Sequence, residues 1–187
     1  MSHQNLKFES LLAGTNVIPV MVIKDIAQAV PLARELVKSG MKVLEITLRT
    51  DCALAAIKEI IAHVPEAVVG VGTVTTPQQL RDAQAAGATF AVSPGSTDDL
   101  IAAADETGLP LLPGVATASE AMKLQALGYR YLKLFPAEAV GGRALLKSLQ
   151  GPLPDLKFCP TGGITSDSAA DYLALGNVVC VGGSWMI

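Results

Sequence analysis

Short runs of valine, isoleucine and leucine alternate along the chain with alanine-rich stretches of helical periodicity, a rhythm that predicts parallel β/α units. The predicted strands are 17–23, 43–48, 68–72, 90–93, 111–113, 131–135, 157–160 and 178–182. Eight such runs with helices between them predict a closed α/β fold, the TIM (β/α)8 barrel. The helical stretches carry their own start and stop signals. Thr76-Pro77-Gln78-Gln79 and Thr117-Ala118-Ser119-Glu120 read as capping boxes, the first with proline at the first helical position. Gly40, Gly87, Gly108, Gly128 and Gly176 each follow a helical pattern where a left-handed cap is expected. Pro31 falls inside the first long helical pattern and predicts a kink or a delayed start. With no linker or low-complexity segment in between, the expectation is one domain over residues 1–187.

Composition narrows the function classes. Half of the 187 residues are hydrophobic and few are aromatic, enough for one sizeable core. The net charge of -3 has no basic block behind it, so no nucleic-acid partner is expected. The longest apolar runs are broken by charges or prolines well short of a membrane span, so no membrane partner is expected either. The polar start Met1-Ser2-His3-Gln4-Asn5 lacks the basic-then-apolar order of a signal peptide. Cys52, Cys159 and Cys180 form no Cys-x-x-Cys pair and read as reduced packing thiols of a cytoplasmic protein. His3 and His63 cannot make a three-histidine metal site, and no metal is expected.

Against this background Lys133 stands out. It lies in Tyr131-Leu132-Lys133-Leu134-Phe135-Pro136, a run otherwise fit for the interior of a sheet. Strand alternation puts Leu132 and Leu134 on one face and Tyr131, Lys133 and Phe135 on the other, so the amine shares its face with two aromatics. Desolvation against apolar walls frees an amine lone pair, which is what a Schiff-base lysine needs. The competing reading is a strand-end lysine that snorkels to water.

A second charged set sits in Val43-Leu44-Glu45-Ile46-Thr47-Leu48-Arg49. Alternation sends Leu44, Ile46 and Leu48 toward the helical layer and Glu45, Thr47 and Arg49 toward the barrel interior or its mouth. Glu45 and Arg49 are roughly 13 Å apart along an extended strand, too far for a local ion pair. The deeper carboxylate can instead approach an amine such as Lys133, and the rim arginine can take a carboxylate in its bidentate fork. Two charges satisfied by unrelated buried neighbours is the alternative. Thr161-Gly162-Gly163-Ile164 and Gly182-Gly183-Ser184 follow the seventh and eighth predicted strands, where barrels most often hold phosphate. Glycine lets backbone N–H groups approach the oxygens, and Ser184 adds a hydroxyl, so a phosphorylated substrate is expected. Gly70-Val71-Gly72-Thr73 lacks a dinucleotide fingerprint and reads as a tight strand end presenting Thr73. Ser93-Pro94-Gly95 and Pro113-Gly114 read first as ordinary rigid turns at the rim.

Together these segments resemble the 2-keto-3-deoxy-6-phosphogluconate (KDPG) aldolase family, the class I aldolases of the Entner-Doudoroff pathway, over essentially the whole chain. The resemblance rests on Leu44-Glu45-Ile46-Thr47-Leu48-Arg49-Thr50, Gly72-Thr73-Val74, Ser93-Pro94-Gly95, Lys133-Leu134-Phe135-Pro136-Ala137-Glu138, Cys159-Pro160-Thr161-Gly162-Gly163-Ile164 and Gly182-Gly183-Ser184-Trp185. It implies a homotrimer of barrels that cleaves the phosphorylated keto acid to pyruvate and glyceraldehyde 3-phosphate, with a second activity on 4-hydroxy-2-oxoglutarate and no cofactor. By the same resemblance Lys133 forms the Schiff base, Glu45 is the general acid/base, and Arg49 with Thr73 holds the pyruvate carboxylate. Pro94, Phe135 and Thr161 line the pocket, and Gly162, Gly163, Gly183 and Ser184 surround the phosphate.

One departure is plain: the chain ends at Trp185-Met186-Ile187 directly after the eighth predicted strand, where the family continues into a final helix. The expectation is therefore a barrel lacking that helix and C-terminally truncated relative to the family. Three rival readings remain at this level. They are the aldolase for the galactonate epimer, a phosphate-binding barrel isomerase or synthase that works through carboxylates, and a non-catalytic barrel used as an oligomer building block.

Overall fold

The structure is a computed structural model that describes residues 3–187, with side chains from Lys7 onward. Nine parallel strands curl into a barrel: β1 (Val17–Met21), β2 (Val43–Thr47), β3 (Val68–Gly72), β4 (Ala91–Val92), β5 (Leu111–Leu112), β6 (Gly114–Val115), β7 (Tyr131–Leu134), β8 (Lys157–Pro160) and β9 (Val181–Gly183). Hydrogen bonding runs β5-β4-β3-β2-β1-β9 in one sheet and β6-β7-β8 in another. Bridges at Phe158–Val178 and Thr161–Gly182 join β8 to the β9 side. β5 and β6 share the fifth position of the (β/α)8 barrel, where a single run 111–113 is predicted. Pro113 between them has no N–H for the ladder, although its carbonyl still accepts from Lys133 N–H at 2.9 Å. The last strand is displaced from the predicted 178–182: Val178 makes only an isolated bridge, because its N–H is spent on Leu175 O in the turn out of the preceding helix.

Helices α2 (Ala29–Lys38), α3 (Ala53–His63), α4 (Pro77–Ala85), α5 (Asp98–Thr107), α6 (Ala118–Ala126), α7 (Gly142–Gln150) and α8 (Ser166–Leu173) pack around the strands. Both expected capping boxes form, and Thr165 with Ser168 makes a third at the start of α8. Pro31 sits in the first turn of α2 after a short 3-10 turn, where its missing N–H costs no helical bond, so it delays the helix rather than kinking it. Gly40, Gly87, Gly108 and Gly128 take positive φ as expected. Gly176 does not; its carbonyl instead accepts from Lys157 Nζ at 2.9 Å.

Period-two alternation divides the apolar side chains between two layers. Leu44, Ile46, Val69, Val71, Leu132 and Leu134 face the helices, with Ile57, Ile60 and Leu80 packed against them. Ile18, Val43, Phe90, Val92, Leu112, Cys159 and Cys180 form a separate interior core. A helix not predicted from the sequence, α1 (His3–Leu12), contributes Phe8 and Leu12 to that interior core. The Phe8 ring lies 6.4 Å from Phe90 and 6.3 Å from Tyr131, so α1 stoppers the end of the barrel where the strands begin. Side chains thus fill the lower interior, and the inward-facing charged residues lie above them, toward the C-terminal ends of the strands.

Candidate active site

At those C-terminal ends lies a cavity of about 380 Å³, and every candidate site residue lines it. Glu45 and Thr47 come from β2, Arg49 from the turn that follows it, Thr73 from the end of β3 and Pro94 from the turn after β4. Lys133 comes from β7 and Phe135 from the residue just after it, Thr161, Gly162 and Gly163 from the turn after β8, Gly183 from β9 and Ser184 from the residue that follows. Val20, Ile164 and Gly182 complete the wall. Val20 was not singled out from the sequence, although period-two alternation puts it on the same face of β1 as Ile18 of the interior core. A larger hollow of about 540 Å³ opens at the opposite end around Thr15, Asn16 and Lys42. Its lining holds no carboxylate and none of the buried polar side chains, so it offers no comparable chemistry.

Two buried charges meet in the smaller cavity. Lys133 is 5% exposed and Glu45 3%, and Lys133 Nζ stands 3.7 Å from Glu45 Oε1. The amine does not snorkel to water. Parallel pairing of β6 with β7 places Lys133 opposite Gly114, and the amine lies 4.9 Å from the centre of the Phe135 ring. Tyr131, the other aromatic on that face, packs lower down against Phe8. Glu45 Oε1 accepts no hydrogen bond, which leaves a buried oxygen free to act on something bound beside the amine. Its position depends on glycine: a Cβ on Gly72 would lie 2.1 Å from Glu45 Oε1. Gly70, one inward position lower, makes the same room for Phe90.

Arg49 is held from the end of β2, two residues before it. Thr47, 1% exposed, donates its hydroxyl to Met21 O at 2.9 Å and accepts from Arg49 Nε at 3.3 Å. The guanidinium is thereby aimed over the cavity with its terminal nitrogens left for a ligand. Thr73 follows with φ 59°, a left-handed backbone unusual for a β-branched residue, which turns the chain sharply off β3 at the cavity edge. Around the mouth, Gly162 and Gly163 have φ of 103° and 82°, conformations open to glycine at little cost. A Cβ on Gly182 would collide with Thr161 Oγ1 at 2.3 Å, so that glycine lets Thr161 fill the wall. Gly114 packs on the backbone of Pro94 in the same way, which makes Pro113-Gly114 a structural turn while Pro94 reaches the cavity.

The cysteines stay outside this chemistry. Cys159 and Cys180 lie in the interior core, and a mutual hydrogen bond and burial push the Cys180 thiol well above its ordinary range. Cys52 Sγ donates to Ile23 O at 3.2 Å. No cluster of three or more His, Cys, Asp or Glu side chains that could hold a metal ion occurs among the described residues, and no described helix is long and apolar enough to cross a membrane.

A family model for KDPG and KHG aldolase matches residues 8–187. The chain belongs to the KDPG and KHG aldolase family. It is 50% identical over 187 residues to the 2-dehydro-3-deoxy-phosphogluconate aldolase of Dickeya dadantii, covering all of this chain and 88% of that protein. The KDPG aldolase of Legionella pneumophila, solved with pyruvate captured at low pH as a covalent carbinolamine intermediate, superposes with a TM-score of 0.93 at 47% identity, over all of this chain and 88% of the other. The enzyme of Zymomonas mobilis, solved with 3-phosphoglycerate, superposes with a TM-score of 0.92 at 50% identity, over 96% of this chain and 85% of the other.

Proposed function

We propose that this family member is a class I aldolase that cleaves 2-dehydro-3-deoxy-6-phosphogluconate to pyruvate and D-glyceraldehyde 3-phosphate. The observation that carries the reading is the buried Lys133–Glu45 pair at the C-terminal end of the barrel. The Lys133 amine adds to the C2 ketone, giving a carbinolamine that loses water to a protonated imine. Glu45 takes the proton of the C4 hydroxyl, the C3–C4 bond breaks, and its electrons pass into the imine as an enamine while the aldehyde leaves. Glu45 then returns a proton to C3 through water, and hydrolysis frees pyruvate and the amine. Arg49 receives the substrate carboxylate in its fork with Thr73 beside it. Phe135, Pro94 and Thr161 exclude water from the reacting carbons, and the turns at Gly162-Gly163 and Gly183-Ser184 receive the phosphate.

The same residues serve 4-hydroxy-2-oxoglutarate, which shares the keto-acid end and lacks the phosphate, and its cleavage to pyruvate and glyoxylate belongs to the reading. Assembly as a homotrimer is carried by the family resemblance, and free Cys52, Cys159 and Cys180 suit a reducing cytoplasm. The test is pyruvate release from the gluconate and galactonate C4 epimers, followed by a coupled dehydrogenase assay. Preference for the gluconate epimer is expected; preference for the galactonate one would reassign the substrate, and no release by folded protein would leave a non-catalytic barrel.

A further inference from the structure

The turn that carries Gly162 and Gly163 is held from below by the segment that follows Lys133. Ala137 N–H donates to Thr161 O at 2.8 Å, and Glu138 N–H donates to Gly162 O at 3.1 Å. The Glu138 side chain then passes so close under the second glycine that a Cβ on Gly163 would lie 2.7 Å from Glu138 Cγ. The carboxylate ends against α8, where the Tyr172 hydroxyl donates to Glu138 Oε1 at 2.5 Å. Tyr172 is fully buried, and Gly142 makes room for it: a Cβ there would stand 2.6 Å from the phenol oxygen. Burial first, and the bond to Glu138 second, push this phenol above the ordinary tyrosine range. Neither Glu138 nor Tyr172 lines the cavity, and the aldol chemistry uses neither.

We propose that Glu138 and Tyr172 form a strut that positions the Gly162–Gly163 turn for the phosphate of the substrate, and thereby sets the preference for phosphorylated over unphosphorylated keto acids. This rests on the reading of the glycine turns as the phosphate site. The physical need is clear. Two glycines allow backbone N–H groups to approach an anion, yet the same freedom costs entropy whenever the turn must be fixed. A carboxylate wedged beneath Gly163 and tied to a buried phenol supplies the constraint that the absent side chains cannot. It also couples the end of β7, where Lys133 sits, to the turn after β8, fixing the span between reacting carbon and phosphate.

Kinetics on both substrates test the strut. Tyr172→Phe and Glu138→Ala are positioning variants, expected to raise KM for the phosphorylated substrate about three- to tenfold, the loss of one hydrogen bond. They should weaken competitive inhibition by inorganic phosphate in parallel and leave kcat and KM for 4-hydroxy-2-oxoglutarate unchanged. Glu138→Gln, whose amide oxygen still accepts the phenol proton, should stay near the unmodified protein. Equal effects on both substrates, or no effect on either, overturn the strut. The phosphate reading is checked separately in the unmodified protein, where inorganic phosphate should compete with the phosphorylated substrate and not with the unphosphorylated one. Absence of that competition places the phosphate elsewhere and removes the strut with it; its presence, unmoved by the variants, removes the strut alone. Should Tyr172→Phe fail to fold, the Glu138→Ala and Glu138→Gln pair decides, since Glu138 is exposed and its removal leaves no core cavity.

Discussion

Lys133 Nζ and Glu45 Oε1 meet 3.7 Å apart from strands on different sides of the barrel, both withdrawn from water. Burying two charges is costly unless they are paired, and pairing them in the wall of a cavity places a nucleophile and a proton acceptor around one bound carbon chain. With pyruvate and borohydride the protein is expected to gain a stable adduct on Lys133, located by peptide mapping, and Lys133→Ala is expected to lose it. An adduct spread over surface lysines, or none in folded protein, would sink the imine mechanism.

Proton transfer is separable from covalent capture because Glu45 contributes no bonding atom. Glu45→Gln should keep a trappable pyruvate imine while slowing exchange of the pyruvate methyl protons with solvent by about 10²-fold or more. Proton NMR in deuterated water reads this directly, and unchanged exchange would move the role to another residue.

Gly72→Ala probes the same carboxylate without touching it. The new Cβ would fall 2.1 Å from Glu45 Oε1, so Glu45 must swing away from its place beside the amine. Methyl-proton exchange is expected to fall toward the Glu45→Gln level while imine trapping persists. Full exchange activity in Gly72→Ala would mean that the placement of Glu45 seen here is not required.

Arg49 and Thr47 make a graded pair. Arg49→Ala should raise KM for both keto acids, since it removes a charged two-pronged partner of the carboxylate. Thr47→Val keeps the shape but loses the bridge from Met21 O to Arg49 Nε. One lost hydrogen bond, about 1 kcal/mol, corresponds to a KM roughly five times higher. Thr47→Ser, which retains the hydroxyl, should restore the unmodified value. An unchanged KM in Thr47→Val would show that Arg49 needs no such support.

The inward alternation of β2 and β7 made Glu45, Thr47, Arg49 and Lys133 legible from sequence, because a period of two fixes facing once a strand is recognised. The glycine turns were legible for the same local reason. What sequence did not carry was register between strands: nothing local announces that Gly72 clears space for Glu45, Gly182 for Thr161, or Gly163 for Glu138. Pro113, taken as the end of one strand, divides two short ones because the neighbouring ladder continues past it. The helix α1 escaped because its opening residues are polar, although Phe8, Leu11 and Leu12 share a helical spacing.

That unexpected helix yields the last prediction. Phe8 is 2% exposed and packs edge-on against Phe90, so it contributes to the interior core beneath the catalytic residues without approaching them. Phe8→Ala should destabilise the fold by about 3–5 kcal/mol, combining lost burial with a cavity that the rigid strands cannot close. For a chain of this size that corresponds to a melting temperature lower by roughly 6–20 °C. Trapping at Lys133 and KM for both keto acids should stay unchanged at a temperature where the variant remains folded, because the Lys133–Glu45 pair is held by β2 and β7 and not by α1. Thermal melts alongside kinetics provide the measurement. A melting point unmoved by Phe8→Ala would show that α1 is not needed to close the barrel, and an altered KM in folded protein would show that the lower core transmits strain to the catalytic end.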